Sequence, residues 1–303
     1  MEHRPVGVPV SSISVMFYEF CNGLVIGSVL RTSIADRVGR MVRCLNEEFR
    51  STSSTSTNRF YVGSYGRNTA IPTVSDVDVL YELPASAYQQ YDNHAGDGQS
   101  ALLQRMRTAI MRTYPNSVVI GDGQVVVVNF TDGIRVEVLG AFQNVNNAYT
   151  FPDSNNGGTW RECKPKQEML AFSVRDTAAN GNLTRLGRMV RAWRDYHGVP
   201  MSGMLIDTLA YQFIDSWGSK DKSYLYYDWL TRDFFLFLSE QSDSQTYWLA
   251  PGSSTYVHQG GSFKRQAKAA YQFALDAIDN ALREEWWATK NKFRSIYGTG
   301  FPS

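Results

Sequence analysis

Apolar residues recur at helical spacing between Ser33 and Phe49, where Ile34, Val38, Met41, Val42, Leu45 and Phe49 fall on one side of a helix. Ser33 predicts the N-cap, and Asp36 three residues later completes a capping-box-like start. The pattern stops at Ser51–Thr57, a polar STSSTST linker. Beyond it the period changes. Phe60–Val62 is a short apolar run, a turn opens with Gly63 and Ser64, and a second extended run carries Asp76 and Asp78 between Val77 and Val79. Residues two apart in a strand share a face. Asp76 and Asp78 therefore stand side by side, while the valines point the other way into a core.

The rest of the chain divides into a strand-rich and a helical part. A helix is predicted from about Ser100 to Met111, then buried strands at Val118–Ile120 and Val125–Phe130. Thr131, Asp132 and Gly133 turn the chain back into Ile134–Leu139, making a hairpin. In that returning strand Ile134, Val136 and Val138 share one face, and Arg135, Glu137 and Leu139 the other. Phe151–Thr159 has loop chemistry and marks the exit from the first lobe. Helices follow at Leu183–Tyr196, Leu205–Trp217, Tyr224–Ser239 and Ser262 to about Trp287. In the last, Ser262 is the predicted N-cap, and Ala270, Ala274, Ile278, Leu282 and Trp286 form an apolar stripe. The expectation is an α+β protein, with a sheet lobe over residues 1–160, braced by the Ser33–Phe49 helix, and a mainly helical lobe over 161–303.

Composition narrows the partners. The 303 residues are 43% hydrophobic and 19% charged, as in globular proteins. Thirty Lys and Arg against 29 Asp and Glu leave no basic excess, so an obligatory polynucleotide partner is not expected. Cys21, Cys44 and Cys163 lack CxxC spacing and fit reduced thiols in a cytoplasm. His3, His94, His197 and His258 have no zinc-finger spacing. Ser12–Leu30 is fairly apolar but contains Glu19 and Asn22 and lacks a small-x-small cleavage site. It is expected to be a buried helix or strand rather than a leader or a membrane span.

Two carboxylates on one strand face repel each other and call for a cation. A small-residue turn just upstream offers backbone N–H groups to a phosphate. Gly63 permits close backbone approach, and the Ser64 hydroxyl can donate to a β- or γ-phosphate. Together these features point to a divalent metal holding a nucleoside triphosphate. Clamping both oxygens of the displacement takes two metals about 3.5–4 Å apart and a third carboxylate from a neighbouring strand. Glu137 is the candidate; its plain alternative is a strand carboxylate paired with Arg135. Asp132 is the fallback, although a hairpin turn is a poor place for a shared ligand.

The blocks VGSYGRNTAI with SDVDVL, IRVEVLGAF, PDSNNGGTW ahead of a proline, and a helix with RAW followed by SGMLIDTLAY occur in that order between roughly Ser33 and Lys268. In combination they resemble the nucleotidyltransferase superfamily of DNA polymerase β, poly(A) polymerase and cyclic GMP-AMP synthase. At finer grain they resemble the bacterial CD-NTases. The resemblance implies a polymerase β-like lobe with the active site in the cleft beside a helical lobe. It implies two Mg²⁺ ions, replaceable by Mn²⁺, on Asp76, Asp78 and Glu137 as catalytic acids. It also implies template-independent joining of ATP, GTP, UTP or CTP into a cyclic di- or trinucleotide second messenger. Such a product belongs to anti-phage signalling of the CBASS type and is read by a separate effector protein. The commonest pattern has aspartate at the third acid, where this chain has Glu137. Arg191 stands where a lysine usually contacts the triphosphate, and Ser202 where a serine touches the phosphates. Gly203 replaces an aromatic that stacks on the base, which leaves Tyr61, Tyr65 and Trp160 as candidates. Arg185, Arg188 and Arg194, three apart around Arg191, read as solvated surface, and Lys164 and Lys166 as exposed lysines. The alternatives are a terminal RNA nucleotidyltransferase and an inactive nucleotide-binding scaffold.

Overall fold

The computed structural model of the chain describes residues 10–73 and 76–303. His3 and, within the motif stretch, Val74 and Ser75 lie outside the described residues. The chain begins with α1 (Val10–Gly23) and α2 (Ser28–Arg50). Two compact units follow from the fold: residues 26–68 with 73–169, and residues 10–25 and 69–72 with 170–303. The division between these units falls after Met169, and α1 groups with the helices of the second unit.

The first unit is built on a mixed sheet. Its elements are β1 (Arg59–Tyr61), α3 (Gly63–Gly66), β2 (Asp76–Glu82), α4 (Ala85–Asp92), α5 (Gly98–Met111), β3 (Val118–Asp122), β4 (Val125–Asn129), β5 (Arg135–Gln143), β6 (Tyr149–Asp153) and β7 (Thr159–Cys163). The strand order is β1-β2-β5-β4-β3, with β6 paired to the end of β5 and β7 to β6. The β2–β5 pairing is parallel and the others are antiparallel. Of the expected loop at Phe151–Thr159 only residues 154–158 are the β6–β7 connection; Phe151–Asp153 belong to β6 and Thr159 opens β7, so paired strands replace most of its ends.

The apolar stripe of α2 packs as expected, with Ile34, Val38, Met41 and Leu45 buried against Val77, Val79, Val136 and Val138. Its start does not match. Gly27, not Ser33, is the N-cap residue, and Ser33 lies inside the helix. The turn ahead of Ile34 carries no periodic apolar face, with Val29 85% exposed, so hydrophobic spacing gave no sign of it. The polar linker after α2 is pinned by buried Asn46, whose Nδ2 donates to the Ser54 carbonyl at 2.8 Å. Asn46 Oδ1 accepts from Asn58 Nδ2 at 2.9 Å and from the Tyr81 hydroxyl at 3.1 Å.

The second unit collects α1 with the later helices. The division falls inside α6 (Pro165–Ala178), followed by α7 (Asn182–His197), α8 (Gly203–Ser216) and α9 (Tyr227–Ser239). A hairpin of β8 (Tyr247–Leu249) and β9 (Tyr256–His258) leads to α10 (Lys264–Leu282) and α11 (Trp286–Tyr297). The predicted Ser262–Trp287 helix is therefore two. Glu284, at φ 59°, takes the left-handed conformation that ends a helix, and Trp286 opens the next. Ser262 is not the cap, since Phe263 precedes the first helical residue.

By length and composition the helical stretch Ser12–Arg50 could cross a membrane. Yet it is broken between α1 and α2, and Ile13, Phe17 and Phe20 are at most 1% exposed within the second unit's core. The Phe17 ring meets Phe293 edge-on at 4.9 Å and Tyr227 at 5.8 Å. α1 is thus a core helix, which satisfies the buried-helix expectation for this apolar stretch.

Candidate active site

Strand pairing assembles the acid face. β1 pairs antiparallel with β2, putting Tyr61 opposite Val79, and Val62 N–H donates to the Asp78 carbonyl at 2.9 Å. The chain turns immediately afterwards, at Gly63, so the turn is delivered beside Asp78. Gly63 has φ +59°, and a Cβ there would lie 1.9 Å from Asp78 Oδ2. Both facts exclude a side chain, and the carboxylate fills the space the glycine leaves open. Gly63→Ala is expected to cost about 1–3 kcal/mol in backbone strain and to displace the Asp78 carboxylate. Its turnover should fall at least tenfold while urea unfolding shifts only modestly; wild-type turnover would refute this placement.

On β2, Val77 and Val79 are buried while Asp76 is exposed and Asp78 half-buried, the alternation that the sequence predicts. The parallel register places Glu137 of β5 directly opposite Asp78, and Arg135 opposite Asp76. The structure therefore brings all three predicted acids to one face of adjacent central strands. Burial, then the charge of Asp76, push the Asp78 carboxyl above the usual carboxylate range, and the guanidinium groups of Arg67 and Arg135 act the other way.

Arg135 Nη2 lies 2.6 Å from Glu137 Oε1, so the third acid is held by an arginine on its own strand. Among the described residues no three His, Cys, Asp or Glu side chains stand ready to hold a metal together. Asp132 is not part of this face. Arg37 grips it with two hydrogen bonds of 2.9 and 2.6 Å and holds its carboxyl below the usual range. Asp76 and Asp78 nevertheless fit a divalent cation. They offer hard oxygen donors in a partly buried place, and their mutual repulsion is what a cation relieves.

Arg67, which sequence reasoning did not single out, directly follows the glycine turn, is 8% exposed, and lies 3.9 Å from Glu168. Its signal was its position alone. The rings of Tyr61 and Tyr65 pack together at a tilt of 52°, with centroids 4.7 Å apart. Trp160 packs on Tyr88 at 4.9 Å and donates its indole N–H to Asp92 at 2.9 Å, so its ring is committed to this unit's own packing. Lys166 is also engaged, with Glu82 at 3.1 Å and above the Phe60 ring. Lys164 lies 3.7 Å from Glu162.

Arg191 and Ser202 belong to the second unit. Arg191 is 3% exposed, and its Nη1 and Nη2 donate to Asp207 at 2.7 and 2.9 Å. It also donates to the carbonyls of Gly187 at 3.1 Å and Gly203 at 3.0 Å, so its fork is filled from within the unit. Arg191 is thus engaged by a buried carboxylate and two carbonyls of its own unit, and no phosphate is needed to pair its charge. The Thr69 hydroxyl donates a further 3.0 Å hydrogen bond to Asp207 Oδ2, the oxygen that also accepts from Arg191 Nη2. A Cβ on Gly203 would sit 3.2 Å from Arg191 Nη2, so the same guanidinium occupies the space beside the glycine that replaces the family's aromatic. Ser202 is exposed and caps α8 by accepting from Leu205 N–H at 3.1 Å, leaving its own O–H to donate elsewhere.

A mixed sheet with a glycine–serine turn packed on a strand Asp-x-Asp pair defines a polymerase β-like nucleotidyltransferase. Residues 12–175, more than half of the chain, match the family described as Second Messenger Oligonucleotide or Dinucleotide Synthetase domain. The chain belongs to that family, the CD-NTases, and is a nucleotidyltransferase. No curated protein matches it. Among solved structures it is similar to Vibrio cholerae DncV cyclic AMP-GMP synthase with the linear intermediate 5′ pppA(3′,5′)pG. That match has 11% identity and TM-score 0.67, covering 95% of this chain and 97% of the other. It is also similar to Escherichia coli MS115-1 CdnC in its complex with HORMA-deltaN, at 15% identity and TM-score 0.66, over 96% and 98%. The Bradyrhizobium diazoefficiens CD-NTase CdnG with GTP matches at 10% identity and TM-score 0.64, over 96% of each chain. At these identities the likeness establishes the fold.

Proposed function

We propose that the protein joins two ribonucleoside triphosphates, without a template, into a cyclic dinucleotide with release of pyrophosphate. The observation that carries this is the register of β2 against β5, which sets Glu137 beside Asp78 and Asp76 on a face closed by the Gly63 turn. In each joining step a ribose hydroxyl loses its proton to solvent, its oxygen bonds to an α-phosphorus, and the bond from that phosphorus to the pyrophosphate oxygen breaks. Magnesium bound at these acids would neutralise charge on the entering and leaving oxygens. Asp76 and Asp78 would supply oxygen ligands, and Glu137, paired with Arg135 in the structure, would complete the set. The Gly63 turn brings backbone close to the site, and Ser64 is the donor to the triphosphate. The Ser202 hydroxyl is a second candidate donor. We place the enzyme in the cytoplasm, with its product read by a separate effector in anti-phage signalling.

The test is incubation with the four labelled ribonucleotides and Mg²⁺ or Mn²⁺, then phosphatase and separation of products. A phosphatase-resistant cyclic dinucleotide, absent from the Asp76→Ala/Asp78→Ala variant, is the expected result. Extension of added RNA would make the protein a terminal nucleotidyltransferase, and nucleotide binding without turnover would make it a scaffold.

A further inference from the structure

The acid face has a cation of its own. Arg135 is opposite Asp76 in the sheet register, pairs with Glu137 at 2.6 Å, and lowers the cost of ionising Asp78. Among the described residues its buried Nε has no hydrogen-bond partner, so the guanidinium sits there for its charge and not for a satisfied network. The neighbouring Arg67 is different: its side chain is 5% exposed and lies against Glu168. The Arg135 side chain is 39% exposed and has a route to solvent. A long side chain two residues from Glu137 can leave the face without moving the strand.

We propose that Arg135 is the resident counter-ion of this face: it neutralises the acids and holds Glu137 until a divalent cation displaces it. This rests on the reading of Asp76, Asp78 and Glu137 as the nucleotidyl-transfer site. Arg135 is thus a positioning residue that sets the metal affinity. It makes full metal loading conditional on freeing Glu137, and it keeps three neighbouring carboxylates from repelling one another when no metal is bound.

The experiment titrates the full-length protein with Mn²⁺ alone, no nucleotide present, following free Mn²⁺ by electron paramagnetic resonance. Removing one positive charge next to a divalent ion, at screening near that of water, tightens binding about tenfold. Arg135→Gln should show that gain, and Arg135→Met, which keeps an aliphatic stem, should repeat it if the glutamine variant folds poorly. Arg135→Lys retains the charge and should stay within about threefold of wild type. Without divalent ions Arg135→Gln should melt below wild type, and saturating Mn²⁺ should raise its melting temperature by more than it raises that of wild type. Equal or weaker Mn²⁺ binding in both neutral variants overturns the proposal. The Asp76→Asn/Asp78→Asn variant separates the two readings. If it binds Mn²⁺ as wild type does, the acid face is not the metal site and both fall. If it loses Mn²⁺ while the arginine variants are unchanged, only the role of Arg135 falls.

Discussion

Asp78→Asn is expected to lower nucleotide joining by about 10³-fold or more while leaving the fold at least as stable. The magnitude follows from losing several kcal/mol of charge stabilisation in the transition state, at about 1.4 kcal/mol per tenfold. The stability half follows from the position of the residue. Burial and Asp76 hold the Asp78 carboxyl above its ordinary range. A raised carboxylate pKa means that the folded state holds the proton more tightly than the unfolded chain. Stability is therefore lost as pH rises through the unfolded and then the folded value, and the ionised group opposes folding at neutral pH. An amide of the same shape removes that penalty. Urea midpoints of both proteins without divalent ion, beside product formation with Mg²⁺, check the two halves. Turnover within tenfold of wild type would remove Asp78 from the chemistry. A strongly lowered midpoint would show that its charge serves the fold.

Asp207→Ala is expected to destabilise the second unit by about 3–5 kcal/mol, the cost of stripping one partner from a buried ion pair. Asp207 is fully buried, and its oxygens take Arg191 at 2.7 and 2.9 Å and Thr69 at 3.0 Å. Its removal leaves a charged guanidinium with only carbonyl partners. Trp193, fully buried in the same helical core, reports the transition by its fluorescence in urea. Replacing both partners, Arg191→Met with Asp207→Leu, should recover most of the loss, because an apolar pair needs no charge compensation. A loss below about 1 kcal/mol for the single variant would mean that the pair contributes little. If Arg191→Met alone raised the KM for nucleotide without lowering stability, the guanidinium would be a ligand contact after all.

Local patterning made much of the fold legible. The α2 stripe, the alternation of β2 and the β4–β5 hairpin are set by neighbours a few residues apart, and each occurs where the spacing put it. Boundaries were less legible. The first turn of α2 is exposed, and the α10–α11 break turns on one left-handed residue, Glu284, inside an otherwise helical pattern. Four of the sheet's strands were visible as β-branched runs. β6 and β7 were hidden in a segment rich in Asn and Gly, whose composition reads as loop until it pairs.

The chain alone determined the acids and the glycine. Period-two spacing puts Asp76 and Asp78 on one face, and the order of motifs adds the Gly63 turn and Glu137. What each charged side chain does was decided by tertiary structure, because an ion pair depends on which side chains face each other, not on residue type. Glu137 lies beside Asp78 only through the parallel β2–β5 register, and it meets Arg135 there. Asp132 was taken by Arg37, 95 residues away in sequence. Arg191 meets Asp207, 16 residues on, in a place from which water is excluded, a pairing that only the packing of the two helices sets.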